Sequence, residues 1–317
     1  MAPSELSRAA EGVVDVARLG RRSVFGLAGV VALGVLVGCG RRTTRTTSGA
    51  ARAAASPLSS APTKTSHAYG PAKAQVADLL RPAGVPHGVV VLVHGGYWQA
   101  GYDRSLEDRV AADLVSRGWA VWNLDYRAVG DGGGWPNTFT DVAAGADLLV
   151  EVAGNEGLVL DRVVTVGHSA GGTLALWLAA RHRLPDGAVG ASPKLRPTAA
   201  VTQAGVNDLA AGSRDGLGGG AVDSVMGGSP TQVPDHYRVA DPAALVPIGV
   251  RQLVVTGADD TVVPPDQSTA YAARTNAAGD TVDLVVVPHE DHFAHLDPKS
   301  GAWKAAVDWL DGLTRTG

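Results

Sequence analysis

Cysteine is almost absent from this chain: there is one, Cys39, in 317 residues. No intramolecular disulfide can form. An apolar run long enough to cross a bilayer, about 20 residues, is also missing, because the apolar segment Val24 to Val37 stops short of that length. Basic residues are outnumbered, 27 against 31 acidic ones, for a formal net charge of −4. The imbalance is uneven. Residues 40–66 hold Arg41, Arg42, Arg45, Arg52 and Lys64 and no acid, whereas residues 67–317 carry a formal charge of −10. With no clustered basic face, nucleic-acid binding is excluded. No solenoid repeat is present. The glycine run Gly218-Gly219-Gly220 follows no strand, so it is not a dinucleotide-binding turn. His289, His292 and His295 are three apart with Pro288 and Pro298 flanking them, which is the wrong spacing for a zinc helix of the H-E-x-x-H kind. Neither a metal nor a cofactor is expected.

What is present divides the chain into three. Residues 1–38 form an export signal: Arg21-Arg22 followed by the apolar segment Val24 to Val37, ending in Leu36-Val37-Gly38-Cys39. Small residues before a cysteine resemble a bacterial lipobox, in which the thiol of Cys39 takes a diacylglyceryl group. The twin arginines suggest the Tat route, with Sec export left open. Residues 39–66 form a Thr/Ser/Ala/Pro-rich basic linker without apolar periodicity, expected to be disordered. Residues 67–317 form one catalytic domain, within the size range of a single α/β unit. An acylated cysteine and a basic tether would make a two-signal anchor on the outer face of a bacterial membrane.

The body alternates apolar runs and helical patterns. Strands are expected at 88–93, 119–124, 162–166, 199–203, 252–256 and 282–287, and helices at 104–117, 137–152, 171–181, 266–278 and 299–313. Such alternation implies a mostly parallel central sheet with helices on both faces. The Gly- and Pro-rich stretch 205–242 breaks the alternation. It is expected to lay short helices, such as Ala221 to Met226, over the site and to influence substrate choice.

Chemistry concentrates in Gly167-His168-Ser169-Ala170-Gly171, placed between an apolar strand and a helix. A G-x-S-x-G turn in that context lifts a serine hydroxyl above the sheet edge and aims a helix N-terminus at developing negative charge. An acid and a histidine follow in chain order. Leu253 to Thr256 runs into Gly257-Ala258-Asp259-Asp260-Thr261-Val262-Val263-Pro264, and Val285 to Val287 delivers Pro288-His289-Glu290-Asp291-His292-Phe293. In this reading Ser169 is the nucleophile, His292 the general base and Asp260 the group that orients the imidazole. Earlier, the strand Val89 to Val93 ends in His94-Gly95-Gly96-Tyr97-Trp98. Glycines there let N–H groups face a tetrahedral oxyanion, and Gly96, Tyr97 and Ala170 are the expected donors.

Together with Asp125-Tyr126-Arg127 and Gly134-Trp135-Pro136, these motifs resemble the α/β-hydrolases of the H-G-G-x-W esterase branch, the feruloyl-esterase-like, arylformamidase-like and prolyl-oligopeptidase-like enzymes. The resemblance runs from about residue 85 to the end of the chain. It implies an α/β-hydrolase fold and places the family's acid on Asp260 rather than Asp259, and its histidine on His292. Trp98, Tyr97 and His168 are expected to line the substrate pocket, Trp135 to brace a turn, and His295 to lie on the surface.

The function this implies is an exported, lipid-anchored serine hydrolase that cleaves esters of small or aromatic acids through an acyl-enzyme. Peptidase or arylformamidase action by the same triad, and a non-catalytic lipoprotein on this scaffold, remain open alternatives. A small-molecule ester is the expected partner, and a monomer the expected state.

Overall fold

A computed structural model describes residues 61–315. Cys39, the signal segment and most of the linker lie outside the described residues. The first strand, β1 (Thr63–Ala68), begins inside the segment expected to be linker, so the folded domain starts a few residues before position 67. Its sequence, Thr-Lys-Thr-Ser-His-Ala, is polar because β1 is an edge strand with almost every residue exposed. It pairs antiparallel with β2 (Val76–Arg81), which the sequence reading also missed. Asp78 interrupts the apolar pattern of β2. It is 1% exposed, and Ser66, Lys64 and Arg104 surround its carboxylate. That arrangement satisfies a buried charge in the way burial requires.

The remaining strands are β3 (Val89–Val93), β4 (Ala120–Leu124), β5 (Val163–His168), β6 (Ala199–Gln203), β7 (Arg251–Gly257) and β8 (Val282–Val287). They form one eight-stranded sheet in the order β1-β2-β4-β3-β5-β6-β7-β8. β2 is antiparallel to both of its neighbours, and all pairs from β4 to β8 are parallel. β3 to β6 are buried at every position. Parallel strands covered on both faces read as continuous apolar runs for this reason, and the sequence betrayed them readily.

One face packs under α1 (Asp108–Ser116) and the C-terminal helix, with Trp119, Trp303 and Leu92 at its centre. The other packs under α2 (Asn137–Glu156) and α3 (Ala170–Ala180), with Trp122, Phe139 and Trp177. α3 is buried all round, as an uninterrupted Leu-Ala-Leu-Trp-Leu stretch requires. Four short helices follow: α4 (Leu209–Arg214), α5 (Leu217–Met226), α6 (Pro234–Ala240) and α7 (Pro242–Leu245). They occupy the region expected to cover the site. α8 (Asp266–Ala277) and α9 (Gly301–Arg315) complete the chain. The expected helix at 104–117 is instead a 3-10 turn, Arg104–Glu107, leading into α1. The loops that follow β3, β5, β6, β7 and β8 all leave the sheet at its carboxyl edge, the place where open α/β sheets carry their sites.

Candidate active site

β5 ends at His168, and the next residue, Ser169, has φ 54° and ψ −124°. A serine in that strained region persists only where the surroundings over-determine it. Here they do. Its N–H donates to Gln203 O at 2.8 Å, and its carbonyl accepts from Gly172 N at 2.8 Å. A Cβ on Gly167 would collide with the backbone of Gly171, and one on Gly171 with the carbonyl of Val93. One on Gly172 would sit 2.6 Å from Thr202 Oγ1. The glycines around the serine are therefore demanded by close backbone approach, and the turn delivers α3 with its N-terminus at Ser169.

Asp260 and His292 come from the turns after β7 and β8. Nδ1 of His292 lies 2.8 Å from Oδ2 of Asp260. The other oxygen, Oδ1, accepts from the N–H groups of Val262 and Val263, each at 2.9 Å. With a carboxylate as its only acceptor on that side, Nδ1 carries the proton and Nε2 is left able to accept one. Both side chains are buried, 4% and 0% exposed. The two turns are joined: Asp259 N donates to Glu290 O at 3.0 Å, an approach that needs the glycine at Gly257, where a Cβ would strike Glu290 O. Asp259 itself faces out, with His289 3.9 Å away.

The turn after β3 carries positive φ at Gly96, Tyr97 and Trp98. Among the described residues, the N–H groups of Tyr97 and Ala170 meet no backbone acceptor. Tyr97, Trp98, Ser169 and Ala170 share one cleft, closed by Val206, Leu217, Gly218, Ala221, Val222, Val262 and Val263. Its free space is about 10 Å³, roughly that of one water. Gly96 does not line it. The space a side chain would need there is filled by the ring of Tyr102. A larger surface groove beside β1 and α2, lined by Tyr69, Asp147 and Lys194 among others, holds none of these groups.

A family model, BD-FAE, matches residues 78–274. The chain belongs to the BD-FAE family. It is a hydrolase of the esterase-like α/β kind. No curated protein sequence matches it. Among solved structures, this BD-FAE chain is similar to esterase B from Lactobacillus rhamnosis, with a TM-score of 0.69, 22% identity and coverage of 82% of this chain and 88% of that one. It is also similar to a truncated carbohydrate esterase from gut microbiota (TM-score 0.68, 20% identity, 82% of this chain and 98% of that one). A third is a bifunctional GH43-CE protein of Bacteroides eggerthii (TM-score 0.65, 22% identity), of which this chain, matched over 80% of its own length, spans only 38%. At these identities the likeness is one of fold.

Two expectations for this BD-FAE site need correction. His168 does not line the cleft. On β5 the side chains alternate, so His168 points to the same face as Val164 and Val166, under α1 and α9. There its Nε2 meets the carbonyl oxygen of His292 at 2.8 Å. His295, expected on the surface, is 0% exposed, with its ring 5.7 Å from that of His168. Burial pushes the titration of His168 down to about 3, helped by the nearby His292, and pushes His295 well down for the same reasons. His94 is pinned by Asp125 at 3.1 Å and stacked on Tyr126. Trp135 packs on Phe139 and His236 as a brace. The apolar wall from Val206, Leu217 and Val222 was not foreseen residue by residue, because only the fold of α4 and α5 brings it over Ser169. Among the described residues no cluster of His, Cys, Asp and Glu is placed to hold a metal.

Proposed function

We propose that this chain is an exported serine esterase, anchored to the outer face of a bacterial membrane by lipid at Cys39, that hydrolyses esters of small carboxylic acids through a Ser169–His292–Asp260 triad. The observation that carries the reading is the buried Asp260–His292 pair at 2.8 Å, with Ser169 on a strained turn at the head of α3. Ser169 Oγ attacks the ester carbonyl while Nε2 of His292 takes its proton. The N–H groups of Ala170 and Tyr97 receive the oxyanion, and the N-terminus of the 11-residue α3 adds its dipole. Collapse expels the alcohol, which takes the proton back from His292. Water then adds to the acyl-enzyme, giving its proton to His292, and the acid leaves as Ser169 is reprotonated. Asp260 holds the imidazole tautomer and stabilises the imidazolium.

The narrow apolar cleft favours small acyl groups over aromatic ones. The carbohydrate-esterase likeness is in keeping with an acylated sugar as the alcohol side. Turnover of p-nitrophenyl esters from acetate to octanoate by the full-length chain in detergent, beside Ser169→Ala, tests the chemistry. The expected result is short-chain turnover and fluorophosphonate labelling, both lost in the variant. No turnover and no labelling in either protein would favour the non-catalytic alternative. The anchor rests on the lipobox-like Leu36-Val37-Gly38-Cys39. Incorporation of an alkynyl fatty acid that disappears in Cys39→Ala tests it separately.

A further inference from the structure

Leu217 stands between two cavities. On one side it closes the cleft at Ser169, where the free space is about 10 Å³. On the other it lines a groove of about 420 Å³ bounded by Asp208, Asp215, Pro264, Asp266 and Gln267. Among the described residues it is the one common to both linings. The two spaces are thus neighbours, with Leu217 in the wall of each.

The backbone that presents Leu217 is unusual. Gly216, Gly218, Gly219 and Gly220 all have left-handed φ, at 64°, 62°, 66° and 90°. At Gly216, Gly219 and Gly220 nothing lies within 4 Å of where a Cβ would be. These positions therefore hold glycine for their conformation, which L side chains rarely adopt, and not for want of space. Gly218 adds a contact: a Cβ there would sit 2.7 Å from Cδ1 of Tyr97. The run lays its backbone against the ring of Tyr97 in the oxyanion turn and sets Leu217 on the cleft. Beyond it, Ala221 and Val222 are buried and fix the other end.

We infer that Leu217 is the specificity-determining residue of this site, a partition that limits the acyl group to a few carbons. The inference rests on the serine-esterase reading above. The acyl group is the part concerned, because the alcohol departs after the first step while the acyl group stays bonded to Ser169 and must occupy whatever recess adjoins it. Removing the partition joins the cleft to the groove and lets a longer chain pass.

The test compares kcat/KM for p-nitrophenyl acetate, butyrate, hexanoate and octanoate in the full-length wild type, Leu217→Ala, Leu217→Phe and Val225→Ala. Val225 is a buried core residue of α5 that lines neither cavity, so its truncation loosens the helix without opening the wall. A methylene in an apolar pocket is worth about 10- to 200-fold. The wild type is expected to fall steeply beyond butyrate. Leu217→Ala should raise the octanoate-to-acetate ratio at least tenfold, Leu217→Phe should move the fall to shorter chains, and Val225→Ala should leave the ratio within about twofold. An active Leu217→Ala with the wild-type ratio, or a Val225→Ala with the same shift, overturns the partition while leaving the esterase reading intact. No turnover and no fluorophosphonate labelling of Ser169 in the wild type overturns the esterase reading itself.

Discussion

Nε2 of His168 lies 2.8 Å from the carbonyl oxygen of His292, and the two rings are 4.7 Å apart. The residue just before the serine thus holds the backbone of the residue paired with Asp260. A carbonyl oxygen only accepts, so Nε2 of His168 donates. Because burial carries its titration down to about 3, it remains a neutral donor across the working range of an enzyme. His168→Leu keeps the packing volume and loses the donor. A hydrogen bond of this kind is worth about 1 kcal/mol net, with more lost if the carbonyl is stranded. The expected result is a fall of about tenfold in kcat with KM little changed, and partial recovery in His168→Gln. A lower melting temperature with unaltered kcat per fluorophosphonate-labelled site would assign His168 to packing alone.

Asp260→Asn probes the tautomer. Oδ1 would still accept from Val262 and Val263, so the turn would keep its shape. The amide nitrogen would then face Nδ1 of His292 and donate to it, which leaves the proton on Nε2, the atom that accepts from Ser169 in the proposed triad. The loss in kcat is expected to be about 10⁴-fold at neutral pH, with the melting temperature close to that of the wild type. Retention of even a tenth of the activity would move the acid role elsewhere, with Asp259 as the nearest candidate.

The features legible in the sequence were those governed by local pattern. β3 to β6 are buried on both faces and appear as apolar runs. The turn glycines around Ser169 and at Gly257 follow from backbone contact, and the spacing of Asp260 and His292 follows the ends of β7 and β8. Tertiary contacts that leave no local motif were not legible. β1 is polar because its partner β2 and the Asp78 cluster stabilise it, not a period of its own. His295 carries no mark of burial in its tripeptide. It is buried because the 3-10 turn Ala294–Leu296 packs down beside His168. His168 directly precedes Ser169, yet strand alternation turns it away from the cleft to the opposite face.

Gly167→Ala tests the tightness of the serine turn. Its new methyl group would meet the carbonyl of Gly171 and the N–H of Gly172, both backbone groups unable to swing away. Overpacking against backbone is expected to cost about 3 kcal/mol, which lowers the melting temperature by roughly 10 °C in a domain of this size. Gly154→Ala is the matching control. It lies in α2 with nothing within 4 Å of its Cβ position, and should stabilise by about 0.5–1 kcal/mol. Thermal unfolding of both variants checks the pair, and equal effects would mean that the turn relaxes freely.

Glu107 is 0% exposed, and among the described residues neither of its carboxylate oxygens has a hydrogen-bond partner. Burial lifts its titration to about 8 from an ordinary value of 4.5. Between those values the native protein holds a proton that the unfolded chain has lost, so stability must fall as pH rises towards 8 and level off above it. Below about pH 7.5 other groups compete. Asp241, raised to about 6 by its burial and then by Asp208, acts in the same direction as Glu107. His168 and His295 stay neutral in the native state while the unfolded chain protonates them, which destabilises the fold as pH drops. Above about pH 7.5, where the histidines of the unfolded chain are mostly neutral too, Glu107 dominates the slope among these groups. Glu107→Gln copies the shape of the protonated acid and cannot ionise. It is expected to match the wild type near pH 5 and to exceed it by a few kcal/mol at most, on the order of 1.4 per pH unit, at pH 8.5. Melting temperatures of the two proteins at pH 5, 7 and 8.5 decide the matter. A gap that does not widen with pH would mean that Glu107 is ionised in the native state, held by a water or partner that its surroundings admit.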